Sequence, residues 1–226
     1  MEIQLNHGTA FTLELFDKTI AVSQSIVIQW IVMAIIIILA LIMTRKLTII
    51  PTKGQTVIEM IVEFLNGLVE TDMGDEHKKA FGPFIGTMAI FMLILNLTGL
   101  IGVAPATMDI NVTLSFALVS FFAINGYAIK YCHLGNYLHS YLQPYPAMLP
   151  MNVLEKFTVI ISLTLRLAIN MLAGVILLHL VYYAMGYFAF IVPVPLHLFF
   201  DLFVPVIQTY VFIKLTMVNT KMALGH

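Results

Sequence analysis

A permanent positive charge stands in the middle of a long apolar run. Arg166 lies in SLTLRLAINMLAG, residues 162–174, and Ser162, Arg166 and Asn170 fall on one stripe of a helix. Insertion scales assign a cost of about 2.5–3.5 kcal/mol to an arginine at the centre of a membrane helix, so such a residue usually faces a cavity or a partner. Arginine keeps its proton at any working pH. Arg166 is therefore expected to be a fixed charge, which is what a site needs if it must attract a mobile carboxylate and make it release its ion.

A second polar stripe follows on the next apolar run, where His197, Asp201 and Gln208 recur at helical spacing. Histidine and carboxylate groups titrate, so His197, Asp201 and the nearby His179 are candidates for relaying protons or coordinating a small cation. Antiparallel packing of the two helices places His179 near His197 in the outer half of the membrane. The same packing puts Gln208 closest to Arg166. Together the stripes predict an outer polar pathway that stops near the arginine.

The composition identifies a polytopic membrane protein. Of the 226 residues, 60% are hydrophobic and 10% are charged, whereas soluble domains carry about 25% charged residues. Mean hydropathy is +0.97, and a formal net charge of −1 gives no basis for binding nucleic acid. No Walker A loop, Rossmann glycine fingerprint, zinc-binding HExxH pattern or Ser/His/Asp arrangement occurs. We therefore expect no catalytic centre, no metal site and no cofactor.

Five apolar runs are long enough to cross a bilayer as helices, because a hydrocarbon core of about 30 Å takes about 20 helical residues. The predicted spans are 20–43, 81–103, 112–131, 157–192 and 196–218. The fourth has about 36 residues and would exceed 50 Å at ~1.5 Å per residue, so we expect it to tilt strongly or bend. The predicted fold class is all-α, a polytopic membrane protein, with residues 1–226 in a single membrane domain.

The basic residues orient the chain, since such residues collect on the cytoplasmic flanks of membrane helices. Only Lys18 lies on the other flank, and Arg166 lies inside a span. The remaining nine of the eleven Lys and Arg residues flank the spans on one side: Arg45, Lys46, Lys53, Lys78, Lys79, Lys130, Lys156, Lys214 and Lys221. The sequence thus predicts an external N-terminus, residues 1–19, and a cytoplasmic C-terminus, residues 219–226.

The segment between the first two spans, residues 54–79, is amphipathic. Its apolar positions recur at helical spacing against Glu59, Glu63 and Glu70, which is typical of a helix lying at the inner membrane surface. A packed cytoplasmic hairpin is the alternative interpretation.

Three further polar residues are weaker candidates for an outer entrance to an ion path. Asn96 lies near the outer end of the second span, and Asp109 and Asn111 begin the third. Asp109 also suits the role of a helix N-cap, and the sequence does not separate that role from channel lining.

Several motifs resemble subunit a of the F-type ATP synthase, of the bacterial type. The most similar stretch is PYPAMLPMNVLEKFTVIISLTLRLAINMLAG, residues 144–174, which contains the proline-rich loop, an Asn-x-Leu-Glu-like segment and the arginine helix. NLTGLIG at 96–102, DINVTLSFAL at 109–118 and IQTYVFIKLTMVN at 207–219 follow the family's order. The likeness runs nearly the whole length of the chain.

The resemblance implies a role for each polar stripe. Arg166 would be the family's essential arginine, facing the carboxylates of a rotating ring of c subunits, and spans four and five would be the family's long tilted pair against that ring. Asn170 and Gln208 would match its near neighbours, and Asp201 would occupy the outer half-channel position. Where the family has an acid or histidine just after its Ala-Gly pair this chain has Val175, and His179 one turn later is a candidate substitute.

The expected function is coupling of ion flow to ATP synthesis or hydrolysis through two offset half-channels. The inner half-channel is expected near four hydroxyl and amide side chains: Thr158, Ser162, Thr216 and Asn219. The implied partners are the c-subunit ring, the b-subunit peripheral stalk, the other synthase subunits and membrane lipid. The transported ion is H⁺ or Na⁺. The expected location is the bacterial plasma membrane, with an organellar inner membrane as the alternative.

Two other functional classes stay open at this point. A stand-alone secondary ion transporter or channel could use the same intramembrane Arg/Asp pair, and a structural assembly subunit would need no ion path. The second predicts that Arg166→Ala and Asp201→Ala leave coupling intact.

Overall fold

Five helices long and apolar enough to cross a membrane make up most of the chain that the structure describes. The computed structural model describes residues 9–15, 18–45, 53–101, 105–140, 149–185 and 193–224. The helices are α1 (Gln24–Thr44), α2 (Lys53–Met73), α3 (Asp75–Asn96), α4 (Ile110–Ser140), α5 (Leu149–Met185), the short α6 (Pro193–His197) and α7 (Val204–Leu224). The prediction of a helical, polytopic membrane protein is confirmed.

An antiparallel hairpin that the sequence analysis did not predict precedes α1. Strand β1 (Thr9–Leu15) pairs with β2 (Lys18–Ser23). The chain passes directly into α1, where the Ser23 hydroxyl accepts a hydrogen bond from the Ser25 amide at 3.4 Å. A serine at this position satisfies an otherwise unpaired N–H of the first turn. Residues 1–8, 16 and 17, which belong to the predicted external N-terminus, lie outside the described residues.

The amphipathic helix ends earlier than the sequence pattern indicates. Gly74 has a φ of 91°, a backbone conformation that glycine adopts without a steric penalty, and it separates α2 from α3. The predicted segment 54–79 therefore ends at Met73, and the next helix begins at Asp75 rather than at 81. Asp75 and Glu76 occupy the first turn of α3, where negative charge favours the helix dipole.

The later spans are longer than predicted. Helix α4 continues to Ser140, beyond the predicted end at 131, and α5 begins at Leu149, ahead of 157. Residues 102–103, 186–192 and 225–226, which complete the predicted second span, fourth span and tail, lie outside the described residues. At ~1.5 Å per residue, the 37 residues of α5 reach about 55 Å. A helix of that length does not fit upright in a hydrocarbon core of about 30 Å, so strong tilt stays the prediction.

Two clusters of buried apolar side chains hold the helices together. The larger joins α1, α3, α4, α5 and α7, and Leu163, Leu167 and Phe212 are the members that lie beside Arg166 in the chain or in space. The smaller joins α2, α3 and α7 through residues that include Val69 and Ile213. Both polar stripes are therefore carried on helices fixed by packing on their other faces.

Helix α2 combines the two interpretations of its sequence. Its C-terminal half packs against α3 and α7, as expected of a hairpin, and a Cβ on Gly82 of α3 would lie only 2.8 Å from the Asn66 Oδ1. Its N-terminal half exposes an apolar stripe at helical spacing, formed by Val57, Met60, Ile61 and Phe64. An exposed stripe of this kind on an amphipathic helix is typical of contact with a membrane surface.

Candidate functional site

Arg166 lies on the open face of α5. Its side chain is exposed together with Leu165 and Ile169, whereas Leu163 and Leu167 beside it are buried in the core. None of the ion pairs among the described residues involves Arg166. The guanidinium is therefore available to a charged group from outside this chain.

A cleft of about 540 Å³ runs along α5 and α7 and reaches Arg166. Three of the polar residues predicted for the inner path line it, namely Thr158, Ser162 and Asn219. Glu155 lines it as well and adds a carboxylate that the sequence analysis did not assign to the site. Arg166 lies eleven positions after Glu155 on the helix, which is about 16 Å along the axis. Glu155 lies on the same helix face as positions 158, 162 and 166. Helical spacing could therefore have identified it as a residue of the cleft.

Thr216, the fourth residue predicted for the inner path, does not line this cleft. Its side chain is 1% exposed, and its hydroxyl donates to the carbonyl of Phe212 at 2.9 Å. Leu215 and Asn219 are the residues of α7 that line the cleft. Neighbouring residues on a helix point about 100° apart, so a threonine beside a lining residue turns into the core. The assignment of Thr216 to the path is corrected on this ground.

Arg166 and Gln208 lie on a small void between α5 and α7. The void has a volume of about 10 Å³, and its other lining residues are apolar: Leu163, Leu167, Val211, Phe212 and Leu215. A void of this size holds about one water at most. The expected proximity of Gln208 to Arg166 agrees with this lining. The half-buried Asn170 follows Arg166 by one turn of α5.

A π-helical segment, Leu198–Phe203, carries Asp201 between α6 and α7. Pro205 follows it and has no N–H to donate to the carbonyl of Asp201, which removes one hydrogen bond of a regular α-helix. A single wider turn of this kind is often found at functional sites. The side chain of Phe200 packs on α5, where a Cβ on Gly174 would lie 3.4 Å from its ring. A small residue thus lets the π segment approach α5 closely.

His197, Asp201 and Tyr182 form a hydrogen-bonded chain. The His197 Nδ1 lies 2.5 Å from the Asp201 Oδ2, and the His197 Nε2 lies 2.8 Å from the Tyr182 hydroxyl. On its other side, the Asp201 Oδ1 would be 3.4 Å from a Cβ placed on Gly99. The sequence analysis predicted the histidine and the aspartate but not the tyrosine. The contact with Tyr182 joins two helices, so the periodicity of either helix alone could not reveal it.

His179 is placed differently from the expectation. Its ring is exposed and its Nδ1 donates to the carbonyl of Val175, on its own helix, at 2.9 Å. Tyr182, rather than His179, is the α5 residue bonded to His197. Across the residues described, no group of three or more His, Cys, Asp or Glu side chains is arranged to hold a metal ion.

Asn96 lies deep between α3 and α7. It is fully buried, and its amide nitrogen donates to the Thr209 hydroxyl at 3.3 Å. Its carbonyl oxygen and the hydroxyl of the equally buried Thr107 have no hydrogen-bond partner in the described part of the chain. Buried polar atoms are normally paired with protein or water. Asn96 therefore has one unfilled hydrogen bond close to Thr209, the residue that follows Gln208.

Asp109 caps α4. Its carboxylate accepts a hydrogen bond from the Asn111 amide at 3.0 Å, immediately before the helix starts at Ile110. Of the two roles that the sequence left open for Asp109, the structure contains the cap. Asn111 is exposed on the first turn.

An ion pair joins α2 to the middle of α7. The Lys214 ammonium lies 2.7 Å from both carboxylate oxygens of Asp72, and it also lies 5.6 Å from the centre of the Tyr210 ring. The side chains of Lys214 and Asp72 are 26% and 17% exposed. A lysine this far inside a candidate span needs such a partner, because an unpaired charge there is costly.

Comparison with known proteins gives one consistent family. A sequence profile described as "ATP synthase A chain" matches residues 26–221. The chain is 32% identical over 207 residues to "ATP synthase subunit a 2" of Bradyrhizobium sp., covering 91% of each chain. It is 33% identical to "ATP synthase subunit a" of Moorella thermoacetica over 198 residues, covering 87% of this chain and 88% of the relative. It is 30% identical to "ATP synthase subunit a, sodium ion specific" of Propionigenium modestum over 237 residues, covering 97% of this chain and 81% of the relative.

These matches agree with the five candidate spans. They cover most of both chains in every case. The chain belongs to the family of ATP synthase subunit a, a membrane subunit of the Fo sector of the F-type ATP synthase.

Proposed function

We propose that this chain provides the ion path of its synthase as two offset half-channels that meet at Arg166, against a rotating ring of c subunits. The observation that carries the proposal is the 540 Å³ cleft that reaches Arg166 on one side. Beyond the arginine, the void shared with Gln208 is about 10 Å³ and is otherwise apolar. A wide cleft that carries several polar side chains, followed by a constriction with room for about one water at most, is the arrangement that two separate half-channels require.

The outer half-channel begins at His197 and Asp201. An ion that enters there passes to a carboxylate of the c ring and neutralises it, which allows that carboxylate to enter lipid. Asn96, with its unfilled carbonyl hydrogen bond, is a candidate for holding water along this route, and the exposed Asn111 is a candidate for the entrance. The uncharged form of the rotor carboxylate can then turn away from this chain, because a neutral acid costs far less to bury than an ion.

Arg166 ensures that a returning carboxylate is ionised. A fixed positive charge lowers the free energy of the nearby carboxylate form, so the rotor group releases its ion on approach. The released ion leaves through the inner cleft, where Ser162, Thr158 and Asn219 supply polar groups and Glu155 supplies a negative charge. Arg166 also repels cations, which opposes a direct leak through the constriction at Gln208.

The energy of this cycle comes from the membrane potential. Each elementary charge moved through 100 mV releases about 2.3 kcal/mol, so several ions are needed for one ATP. Apart from passing ions, this chain carries out no chemical step in the cycle, and the chemistry of ATP belongs to other subunits.

The partners and placement in this proposal follow from the same scheme. The c ring covers the open face of α5, the b-subunit stalk and the remaining subunits hold this chain in place, and lipid covers the rest. The N-terminus is outside and the C-terminus is cytoplasmic, in a bacterial plasma membrane. The transported ion is H⁺ or Na⁺. Family membership favours this role over a stand-alone transporter or channel.

Thiol accessibility tests the two half-channels separately. Ser162→Cys and Asn219→Cys line the inner cleft, Asn111→Cys marks the outer entrance, and Ile161→Cys is an exposed, apolar control on α5. Each is made in a Cys132→Ser chain within the whole complex, since Cys132 is the one native thiol.

A membrane-impermeant thiol reagent is then applied to vesicles of either orientation. We expect Ser162→Cys and Asn219→Cys to react from the cytoplasmic face, Asn111→Cys from the opposite face, and Ile161→Cys slowly from both. Reaction of Ser162→Cys from the outer face would contradict the proposal.

A further inference from the structure

Tyr182 closes the outer end of the hydrogen-bonded chain described above. Its hydroxyl lies 2.8 Å from the His197 Nε2, and the two rings lie 5.7 Å apart between centroids. It is carried on α5, whereas His197 ends α6 and Asp201 lies in the π segment. One tyrosine therefore fixes a histidine that belongs to a different helix.

We propose that Tyr182 is a positioning residue that holds His197 with its Nδ1–H directed at Asp201, and that these three side chains pass protons from the outer solution to Asp201. This inference rests on the proposed role of Asp201 in the outer half-channel. It adds a residue and a chemical route to that role.

The hydrogen-bond chemistry assigns the proton at each atom. An ionised Asp201 only accepts, so the Nδ1 of His197 must be the nitrogen that carries a proton. In neutral His197 the Nε2 then has a lone pair, and the Tyr182 hydroxyl donates to it. When His197 is protonated, its Nε2–H donates to the Tyr182 oxygen instead. A hydroxyl fits both states, whereas a ring without one fits neither.

Proton transfer through these three side chains balances, because one proton arrives at the His197 Nε2 for each proton that leaves its Nδ1. A proton from outer water reaches the Nε2 as the Tyr182 hydroxyl exchanges its own hydrogen, and the Nδ1–H proton moves to the Asp201 Oδ2. Asp201 is then a neutral acid, and His197 is neutral with its hydrogen on Nε2. After Asp201 gives up its proton inward, a turn of the ring or return of the proton through water restores the Nδ1–H form. No such exchange between two nitrogens is available to Na⁺.

The exposed fraction of the side chains decreases from Tyr182 through His197 to Asp201, which is the order in which a proton would pass. Tyr182 is 45% exposed, the His197 side chain is 39% exposed and the Asp201 side chain is 11% exposed. Asp201 is also packed against Gly99 on the side away from His197. Tyr182 and His197 therefore lie nearer the surface of the protein than Asp201 does. The His197 imidazole is the polar group that connects the Asp201 carboxylate to that surface.

The test is ATP-driven H⁺ uptake into inverted vesicles that hold the whole complex, at matched content of this chain. Tyr182→Phe keeps the ring that packs on His197 and removes only the hydroxyl. We expect its uptake to be about threefold to tenfold lower, the size of effect that one hydrogen bond supports. Tyr182→Gln returns both a donor and an acceptor and should recover part of the loss.

Tyr183→Phe is the matched control, since Tyr183 is 84% exposed on the next position of α5. We expect it to keep wild-type uptake. Wild-type uptake by Tyr182→Phe would overturn the inference, and so would an equal loss in Tyr182→Phe and Tyr182→Gln, because a loss that a donor and acceptor cannot repair is structural. An absence of H⁺ uptake by the wild-type complex would overturn it as well.

Asp201→Asn, measured in the same series, separates the two proposals. If Asp201→Asn abolishes uptake and Tyr182→Phe leaves it unchanged, the inference about Tyr182 fails and the outer half-channel stands. If Asp201→Asn itself keeps wild-type uptake, the proposed role of Asp201 fails and the inference fails with it.

Discussion

Removal of the Asp72 carboxylate should destabilise the attachment of α2 to α7. The Lys214 ammonium lies 2.7 Å from this carboxylate, and the two side chains are 26% and 17% exposed. At that distance and an effective dielectric constant of about 20, the Coulomb attraction is about 6 kcal/mol. Desolvation of both charges offsets most of it. We expect a net cost of about 1–3 kcal/mol for Asp72→Ala, because it leaves a mostly buried lysine without its partner.

A double-mutant cycle on Asp72 and Lys214 contains two further variants. Lys214→Ala leaves an aspartate at a helix end, where water can reach it more easily, so we expect a smaller loss. The double variant should lose about 1 kcal/mol less than the sum of the single losses, because neither charge is then left alone. Lys78→Ala is the control. Its partner Glu70 is also 2.7 Å away, but this pair lies at the surface, where water screens the attraction, so we expect little change in stability.

Cys132 provides the assay. It is the single thiol of the chain, it is partly buried, and its sulfur lies 3.6 Å from the carbonyl of Leu224 at the end of α7. A maleimide that fluoresces on reaction would report thermal unfolding in a complex whose other subunits carry no cysteine. Each 1 kcal/mol corresponds to about 2–4 °C in a domain of this size. Equal melting temperatures for Asp72→Ala and the wild type, or strictly additive losses in the double variant, would refute the role assigned to this pair.

Three further predictions concern other parts of the chain. Glu155→Gln should lower ATP-driven ion uptake several-fold at matched assembly. Glu155→Asp should retain more uptake, since it keeps a negative charge in the inner cleft. Equal uptake by the two variants would remove Glu155 from the path. Gly82→Leu should lower stability by about 1–3 kcal/mol through its clash with Asn66. Gly126→Leu, with open space around the added side chain, should not. Equal melting temperatures for these two variants would contradict the close approach of α2 and α3. Asp109→Ala should cost about 1 kcal/mol of stability as a lost cap, and Asp109→Ser should restore it; loss of ion uptake in Asp109→Ser would show that this carboxylate does more than cap α4.

The five candidate spans could be predicted from the sequence because each contains an apolar run long enough to cross a bilayer, whereas the ends of the helices differ from the predicted ones. The end of α2 could not, since the amphipathic pattern continues through Gly74 and only the positive φ of that glycine breaks the helix. The hairpin before α1 was missed for a different reason. Phe11, Leu13 and Leu15 alternate with Thr12 and Glu14, which is the period of a strand, but the sequence analysis followed helical spacing and did not weigh this pattern.

The site was predictable as far as one helix determines it. Ser162, Arg166 and Asn170 follow from helical spacing, and Glu155 belongs to the same face. Thr216 was misassigned because spacing within α7 does not tell which face meets α5. Tyr182 could not be found at all, since its partner His197 lies on a different helix and spacing within one helix does not reveal a contact between two.

The charge on Arg166 is the centre of this account, and ATP-driven ion uptake into inverted vesicles tests it most directly. Wild-type and Arg166→Ala complexes are compared at matched assembly, with Leu165→Ala, an exposed neighbour on α5, as the control. We expect Arg166→Ala to lose uptake while the complex stays intact, and Leu165→Ala to keep it. Normal uptake by an intact Arg166→Ala complex would contradict the account and leave Arg166 as a packing residue.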